Sequence, residues 1–374
     1  MTISRAARGR AHSRRGLTCD TGMLHMSTIF FTGFPGFLGA ELLPRLLRRS
    51  PDVRVRCLVQ SKFAELARKR ASGIGGGTRI EIVEGDITQP ITARSDDVVE
   101  IYHLAAIYDL AVRRDLAMRV NVDGTRNVLD FAARCPSLQR FQYVSTCYVS
   151  GQYRGVFRET DLEKGQAFGN YYEETKYLAE VEVQKRMHAG LPATIYRPAI
   201  TVGDSVTGET QKFDGPYFVI QWILRQPHLS VLPMVPGSKR YHLNVVPRDF
   251  VIEAFDRLSA MPQSLGKVYQ LADPDPMTIE ESVNAIAGAT GHSLVRIPLP
   301  LAVAKGAVRY VPGVYRLMRI PAEAIDYFVH PTEYDTTNTR HDLGSMRIPH
   351  LRDYLPRLVD FARAHPEIGS AAMA

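Results

Sequence analysis

One tyrosine in the sequence, Tyr172, is followed four residues later by a lysine, Lys176. In an α-helix these two side chains lie on the same face, about one turn apart. A nearby ammonium group favours the phenolate and so lowers the tyrosine pKa from its usual value of about 10. Such a phenol can exchange a proton with the oxygen of a carbonyl or alcohol. Thr146 ends a preceding strand pattern and is expected to hydrogen-bond to the same oxygen, with Ser145 as the alternative hydroxyl.

A glycine-rich turn stands near the start of the chain. Gly33, Gly36 and Gly39 follow an apolar run at 29–32 and open a helical pattern. The first glycine permits a tight turn, the second lets the backbone approach a pyrophosphate, and the third lets the helix pack closely on the strand. The helix N-terminus then faces the anion. This segment therefore predicts a dinucleotide-binding loop.

The elements that position these residues alternate along the chain. β-Branched runs predict strands at 28–32, 53–59, 79–83, 98–103, 141–146 and 193–196, and helical patterns occupy 37–49, 116–133 and 172–188. Such alternation indicates a parallel sheet with helices on both faces. Beyond residue 200 the alternation stops. We therefore expect a Rossmann-like, doubly wound α/β fold, with a dinucleotide-binding domain at 27–200 and a smaller substrate-binding lobe with C-terminal helices at 201–374.

The spacing Gly-x-x-Gly-x-x-Gly resembles that of the extended short-chain dehydrogenase/reductase superfamily, and other runs fit the same template. They are Asp86 after the third strand, His103-Leu104-Ala105-Ala106 after the fourth, Asn121-Val122-Asp123-Gly124-Thr125, and Arg197-Pro198 after the sixth. The runs 103–110, 143–151, and 203–208 followed by 213–217, look like the thioester-reductase and fatty acyl-CoA reductase ("male sterility") subgroup. The resemblance implies an NAD(P)-dependent oxidoreductase, and homodimers are frequent in this superfamily.

The resemblance also implies the site residues. Thr146, Tyr172 and Lys176 would be catalytic, and Lys176 would also hold the ribose hydroxyls. The residues expected to bind the cofactor are Gly33, Pro35, Gly36, Phe37, Leu38, Gly39, Gln60, Lys62, Asp86, Ile87, Leu104, Ala105, Ala106, Tyr172, Lys176 and Pro198. No metal site is expected, and Tyr171 is interpreted as a packing residue or a substrate contact.

The residues after the second strand bear on the choice of cofactor. Enzymes that use NAD usually place an acid there for the ribose 2′-hydroxyl, whereas basic residues accommodate the 2′-phosphate of NADP. Here no acid occurs before Glu65, and Lys62 and Arg68 are basic. Gln60 stands where related reductases commonly have arginine, so the phosphate clamp is weaker than the family pattern. NADP is therefore the predicted cofactor, with NAD as the alternative.

Aromatic and aliphatic residues dominate the start of the second lobe: Phe213, Tyr217, Phe218, Val219, Ile220, Trp222, Ile223 and Leu224. Such a wall suits an apolar acyl, isoprenoid or sterol-like group, although any one of these residues could instead belong to the core. The leading hypothesis is a reductase of acyl thioesters, delivered as CoA esters or on an acyl carrier protein. The alternatives are a hydroxysteroid-like or ketone/alcohol dehydrogenase, a sugar-nucleotide epimerase or dehydratase, and a cofactor-binding regulatory protein.

The net charge of +7 is unevenly spread, because residues 1–26 contain five arginines and one acid. That stretch has no apolar core of a secretory signal, and we interpret it as a disordered leader or an over-extended start before Met26, with a transit peptide as the alternative. The remaining chain is nearly balanced, which argues against a nucleic-acid partner. The four cysteines show no paired spacing, which is typical of a cytoplasmic protein. The basic segment 295–327 leaves peripheral membrane contact as an alternative to packing on the protein.

Overall fold

The computed structural model of the protein describes residues 27–311 and 322–369. The strands of these residues are β1 (Thr28–Thr32), β2 (Arg54–Val59), β3 (Ile80–Glu84), β4 (Val98–His103), β5 (Arg140–Val144), β6 (Gly155–Phe157), β7 (Ala193–Pro198), β8 (Ile200–Val202), β9 (Leu229–Met234), β10 (Val245–Pro247), β11 (Val268–Leu271), β12 (Ser293–Pro298) and β13 (Thr332–Tyr334). The helices are α1 (Gly39–Arg49), α2 (Ser61–Ser72), α3 (Arg114–Ala117), α4 (Gly124–Ala132), α5 (Tyr171–His188), α6 (Tyr217–Leu224), α7 (Arg248–Ala260), α8 (Ile279–Thr290), α9 (Leu301–Tyr310), α10 (Thr337–Leu343) and α11 (Leu351–Ala364).

Seven parallel strands form the main sheet, in the order β11-β7-β5-β4-β1-β2-β3. The chain builds β1, β2 and β3 outward in one direction and then crosses to β4 on the other side of β1. The strand order therefore reverses between β1 and β4, and a crevice opens there at the carboxyl ends of the strands. This arrangement confirms the predicted Rossmann-like α/β fold.

The side chains of β1 explain why helices cover both faces of the sheet. All five residues of β1 are buried. Ile29 and Phe31 point into one hydrophobic cluster with α1 and α7, whereas Phe30 points into another with α4 and α5. Because successive residues of a strand face opposite sides, a continuous apolar strand needs cover on both faces.

The sequence predicts a domain boundary at residue 200, but a strand that lies beyond it, β11, belongs to the main sheet. Strand β11 pairs with β7 at the edge of the main sheet, and α7 packs against the same core as α1. The chain after residue 200 thus contributes first to the smaller lobe and then again to the main sheet. The sequence pattern does not predict this return to the main sheet, because the segments between β7 and β11 are short and irregular.

The predicted helix at 116–133 is not continuous. Residues Met118–Asp123 form a π-helical segment between α3 and α4. Within it, the Asn121 side chain accepts a hydrogen bond from the Ile107 N–H at 2.9 Å and donates one to the Thr175 hydroxyl at 3.0 Å. The widened turn therefore ties the loop after β4 to the helix that carries Tyr172.

The smaller lobe has its own hydrophobic cluster beside the carboxyl edge of the sheet. It is built from α6, α8 and the C-terminal helix Leu351–Ala364, with the two-stranded parallel pairs β8–β10 and β9–β12.

Segment 295–327 is not one amphipathic helix, because its described residues form the end of β12, α9 and most of the 3-10 turn Ala322–Val329. The leader prediction at 1–26 lies outside the described residues, as do two of the basic residues of segment 295–327, Arg316 and Arg319. No helix in the described ranges has the length and apolarity needed to cross a membrane.

A buried ion pair joins α5 to the main sheet. The Arg197 guanidinium of β7 lies 2.6 Å from the Glu180 carboxylate of α5, and both side chains are fully buried. Ser145 donates to the other oxygen of Glu180 at 2.5 Å, and Arg197 also donates to the Asp161 carbonyl at 2.7 Å. The pair is therefore well satisfied, which a buried pair of charges requires.

Removing one partner should leave the other charge buried and uncompensated. We expect Arg197→Met to lower the free energy of unfolding by about 3–5 kcal/mol. Arg113→Met is the matched control, because Arg113 forms an exposed ion pair with Asp115, and its effect should fall within the error of the measurement. Urea unfolding followed by circular dichroism measures both. Equal effects of the two substitutions would contradict the importance of the buried pair.

Candidate active site

The glycine-rich loop lies where the strand order reverses. Gly33 has a φ of +95°, and a Cβ atom on it would lie 2.8 Å from the carbonyl carbon of Leu104. A Cβ atom on Gly36 or Gly39 would lie 2.8 or 2.4 Å from the carbonyl oxygen of Gly33. Only glycine fits these three positions, so the loop can fold tightly beside the N-terminus of α1. This geometry fits a pyrophosphate cradle.

A cavity of about 510 Å³ runs from this loop into the smaller lobe. Every residue predicted to bind the cofactor or to act in catalysis lines it: Gly33, Pro35, Gly36, Phe37, Leu38, Gly39, Gln60, Lys62, Asp86, Ile87, Leu104, Ala105, Ala106, Thr146, Tyr172, Lys176 and Pro198. The structure thus brings together residues that are widely separated in the sequence. The set has the composition needed to hold a nicotinamide dinucleotide.

The residues after β2 and β3 meet at one end of the cavity. The Gln60 side-chain amide donates to the Asp86 carboxylate at 2.8 Å, and the Thr88 N–H donates to its other oxygen at 2.9 Å. Lys62 lines the cavity, and its ammonium lies 4.9 Å from the centre of the Phe63 ring. Arg68 instead donates to Glu84 at 2.6 Å on the exposed surface. Of the two basic candidates, Lys62 is therefore the one that faces the cavity.

Helix α5 positions the tyrosine and the lysine. The Asn170 side chain caps this helix by accepting from the Glu173 N–H at 2.9 Å. Tyr172 and Lys176 then fall on the cavity face, one turn apart. The Lys176 ammonium donates to the Tyr143 hydroxyl at 2.9 Å and to the Val144 carbonyl at 2.7 Å.

The two candidate hydroxyls after β5 have different partners. The Ser145 hydroxyl donates to the buried Glu180 carboxylate. The Thr146 hydroxyl accepts from the Tyr148 N–H at 3.2 Å, donates weakly to the Pro198 carbonyl, and hydrogen-bonds with the Tyr172 phenol. Because a hydroxyl has a single proton to donate, Ser145 is committed to the ion pair, whereas Thr146 lies beside the tyrosine.

The protonation of the pair differs from the sequence prediction. Burial raises the pKa of Tyr172 above its usual range, and the Thr146 hydroxyl only partly opposes this effect. Burial also lowers the pKa of Lys176 to about 7, with the Glu180 carboxylate acting in the opposite direction. The prediction that Lys176 lowers the tyrosine pKa is thus not met, because the ammonium is held by Tyr143 and Val144. Tyr172 is a neutral phenol, which suits a proton donor.

His103 lies behind the cavity wall and supports it, and it is not an acid or a base of the site. Its ring nitrogens lie 2.8 Å from the Thr32 hydroxyl and 3.0 Å from the Thr125 hydroxyl. Burial lowers the pKa of His103 to about 3, and the nearby Lys176 acts in the same direction. The neutral ring therefore bridges β1 to α4, and the Thr32 hydroxyl accepts from the Ala105 N–H at 3.2 Å.

Sequence reasoning missed a polar cluster at the lobe end of the cavity. The Lys212 ammonium lies 2.7 Å from the Asp214 carboxylate and 3.6 Å from the centre of the Tyr108 ring. The Tyr108 ring in turn packs edge-on against the Tyr172 ring, with 4.8 Å between centroids. Tyr108 and Asp214 stand within or beside runs that resemble the thioester-reductase subgroup, but nothing local in the sequence marks Lys212.

The apolar wall predicted from α6 is only partly in the cavity. Phe218 and Val219 line it. The remaining residues pack in or against the core of the smaller lobe: Phe213, Tyr217, Ile220, Trp222, Ile223 and Leu224. Other apolar side chains complete the wall, namely Leu110, Leu116, Val120, Leu243, Ile279, Val283, Ile286 and Phe328.

Tyr327 closes the cavity beside the start of α5. Its ring packs edge-on against the Tyr148 ring, with 4.5 Å between centroids, and its hydroxyl hydrogen-bonds with the Glu173 carboxyl. Burial raises the pKa of Glu173 to about 7, although the Gly169 N–H donates to it at 2.9 Å.

Across residues 27–311 and 322–369, no cluster of three or more His, Cys, Asp or Glu side chains could hold a metal ion.

Comparison with known protein families agrees with this geometry. The family model described as male sterility protein, an NAD-binding family, matches residues 31–255, which is more than half of the chain. The chain belongs to the male sterility protein family. It is thereby one of the NAD(P)-dependent oxidoreductases of the extended short-chain dehydrogenase/reductase type, and the predicted thioester-reductase subgroup is confirmed.

Two solved structures are similar to the chain. The terminal R domain from the myxalamid PKS-NRPS biosynthetic pathway is 27% identical with a TM-score of 0.77, and the match covers 92% of each chain. A thiolation-reductase di-domain from an archaeal non-ribosomal peptide synthetase has the same fold, at 22% identity and a TM-score of 0.70, over 91% of this chain and 76% of that one.

Among curated proteins, the nonribosomal peptide synthetase asaC of Aspergillus flavus is 27% identical over 283 residues, which is 68% of this chain and 27% of that protein. This male sterility family protein thus spans only about a quarter of the length of that relative.

The buried Lys176 should make the stability of this family member depend on pH. An unfolded lysine has a pKa of about 10.4, whereas burial lowers the folded value to about 7. Between these values the unfolded chain binds more protons, so stability should rise as the pH increases from about 7 to about 10 and should level off below 7. Lys176→Met should remove this rise. Urea unfolding of the cofactor-free protein from pH 6 to pH 10 measures it.

Lys185→Met is the control, because Lys185 is exposed on the same helix. Parallel pH profiles of wild type and Lys176→Met would show that Lys176 is not the titrating group.

Proposed function

We propose that the protein reduces acyl thioesters to aldehydes with a reduced nicotinamide cofactor. The observation that carries this proposal is the meeting of Thr146, Tyr172 and Lys176 in the cavity that begins at the glycine-rich loop. A phenol, a hydroxyl and a lysine at the wall of a dinucleotide site are the groups that reduction of a carbonyl requires. A cofactor-binding regulatory protein would have no need of all three.

The residues of the chain handle the carbonyl oxygen. A nicotinamide held at the glycine-rich loop would supply a hydride to the carbonyl carbon, and the carbonyl oxygen would then develop negative charge. The Tyr172 phenol donates its proton to that oxygen, and the Thr146 hydroxyl orients it by a hydrogen bond. The raised pKa of Tyr172 keeps the phenol protonated until charge develops, which suits donation to an alkoxide.

The tetrahedral product of this step is a hemithioacetal, with a hydroxyl and a thioether on one carbon. Its collapse breaks the C–S bond and forms the C=O bond of the aldehyde. The hydroxyl proton returns to the Tyr172 phenolate, and the departing thiolate takes a proton from solvent to become the thiol. Lys176 lies one helical turn away and would hold the ribose hydroxyls.

The lobe end of the cavity supports an acyl substrate. Its wall is largely aliphatic and aromatic, with Phe218, Leu243 and Ile286 among the lining residues. Such a wall favours a hydrocarbon chain over a nucleoside diphosphate sugar, whose phosphates need several polar partners. The relatives include a thiolation-reductase di-domain, in which a carrier unit is joined to a reductase. We therefore propose a carrier-bound or CoA-bound acyl group as the substrate.

NADP is the proposed cofactor. Lys62 faces the cavity after β2, and the nearest acid in the sequence, Glu65, is absent from the cavity lining. An ammonium group at this position favours the ribose 2′-phosphate. The three cysteines of the described ranges are free and buried, which supports a cytoplasmic location.

A substrate panel tests the proposed activity. Octanoyl-CoA, a cyclic ketone and a UDP-sugar are offered with NADPH, and octanal with release of free CoA is the expected product. Tyr172→Phe should lower kcat on the thioester by about a hundredfold or more while cofactor binding is kept. Tyr171→Phe is the matched control, since Tyr171 is 47% exposed on the same helix. Turnover of the ketone or the sugar alone would reject the thioester assignment.

Lys62 should decide between the two cofactors. We expect Lys62→Ser to raise the Kd for NADPH by about tenfold, because the ammonium no longer meets the 2′-phosphate, and to leave the Kd for NADH nearly unchanged. Fluorescence titration of the reduced cofactors measures both constants. Lys69→Ser, on the same helix but away from the cavity lining, is the control. Tighter binding of NADH than NADPH by the wild type would overturn the NADP assignment.

A further inference from the structure

One polar side chain interrupts the apolar wall at the lobe end of the cavity. Helices α6 and α8 both contribute residues to this wall. The four lining residues of α8 are Ile279, Ser282, Val283 and Ile286. Their spacing of three and four residues places them on one face of the helix, so this face points into the cavity. Three of the four are aliphatic, and Ser282 is the exception.

The Ser282 hydroxyl has no hydrogen-bond partner in the part of the chain that the structure describes, although the residue is only 1% exposed. A serine or threonine inside a helix often bonds back to a carbonyl oxygen of the preceding turn. Thr290 of the same helix does so, because its hydroxyl donates to the Ala287 carbonyl at 3.0 Å. Buried hydroxyls in proteins nearly always have a partner. An unpaired hydroxyl on the wall of a cavity therefore points to a ligand group as its partner.

The second unpaired atom of this kind has a different setting. Among residues 27–311 and 322–369, the other buried side-chain atom without a partner is the amide oxygen of Gln270. Gln270 belongs to β11 and is absent from the cavity lining. Its amide nitrogen is in use, since it donates to the Phe157 carbonyl at 2.8 Å. Ser282 differs because its single polar group is unpaired and lies beside the space proposed for the acyl chain.

A group that pairs with Ser282 should be neutral. A charged substituent in an apolar wall would need an opposite charge close by. Lys212 and Asp214 pair with each other at 2.7 Å, and the other charged lining residues belong to the cofactor site proposed above. The complete set of charged lining residues is Lys62, Asp86, Lys176, Lys212 and Asp214. None of them stands on α8, so a hydroxyl or keto oxygen fits the position better than an ammonium or a carboxylate.

We propose that Ser282 recognises a hydroxyl or keto group on the acyl chain of the substrate. This inference rests on the proposed thioester-reductase function and narrows its substrate class to oxygen-substituted acyl thioesters. The serine hydroxyl can donate as well as accept, so it can bond to either group. A plain alkyl chain that fills the same space excludes water from the hydroxyl and leaves it unpaired, which weakens binding.

A matched series of substrates tests this inference. Octanoyl-CoA and dodecanoyl-CoA are compared with analogues that carry one hydroxyl or one keto group, placed in turn at each carbon from the third to the penultimate. The two chain lengths let the substituent sample the whole lobe end of the cavity. We expect kcat/KM of the wild type to exceed that for the plain chain by about tenfold or more at one position or at two adjacent ones. Aldehyde formation with NADPH measures it.

Ser282→Ala separates the effect of the hydroxyl from that of packing. This variant should lower kcat/KM for the preferred substituted substrate by about tenfold, chiefly through a higher KM, and should not lower it for the plain chain. Val283→Ala is the matched control, because Val283 lines the cavity beside Ser282 but carries no polar group. It enlarges the cavity without changing the polarity of its wall, so it should change kcat/KM for both substrates by the same factor.

Two results would overturn the role of Ser282. One is an equal kcat/KM for the plain and the substituted chains at every position, and the other is a preference that Ser282→Ala retains in full. Either result, obtained while the plain thioesters are still reduced, would leave the proposed thioester-reductase function standing. A wild type that reduces no thioester of either kind would refute the proposed function, and the inference about Ser282 with it.

Discussion

The ion pair between Glu180 and Arg197 fixes the geometry on which the active site depends. Tyr172, Lys176 and Glu180 follow each other at intervals of four residues, so they lie along one face of α5. Arg197 is followed on β7 by Pro198, which lines the cavity. A charge pair with no exposure to water tolerates little displacement, because any separation leaves two buried charges unsatisfied. The pair therefore sets both the rotation and the height of the tyrosine above the sheet.

The same carboxylate also shapes the chemistry of the site. The Glu180 carboxylate accepts the hydrogen bond of the Ser145 hydroxyl, which leaves Thr146 as the hydroxyl beside the tyrosine. It is also the group that favours the charged form of Lys176 against burial. The site thus keeps a neutral phenol and a lysine of lowered pKa close together in a largely apolar cavity. The buried Glu180 carboxylate therefore contributes both to the packing of α5 on the sheet and to the protonation states of the groups in the proposed reaction.

The sequence predicted those parts of the molecule that are encoded by local patterns. The glycine spacing of the loop and the Tyr172–Lys176 interval are local, because a turn and a helical turn define them. Strand β11 was missed because it is four residues long and is recruited to the sheet by β7, far away in the sequence. Lys212 was missed for a similar reason, since its place beside Tyr108 depends on how the smaller lobe folds back. The pKa of Tyr172 depends on burial, which a motif does not encode.

The smaller lobe is the part of the fold in which substrate choice must reside. The main sheet supplies the cofactor cradle and the proton donor, and these would serve any carbonyl. The lobe adds three different surfaces: the apolar core residues of α6, the cavity wall around Phe218, and the exposed face of β9 and β12. Leu232 and Val231 are neighbours on one strand, yet one is buried at 4% exposure and the other is exposed at 38%. That alternation leaves β9 with one side packed in the core of the lobe and the other side exposed to solvent.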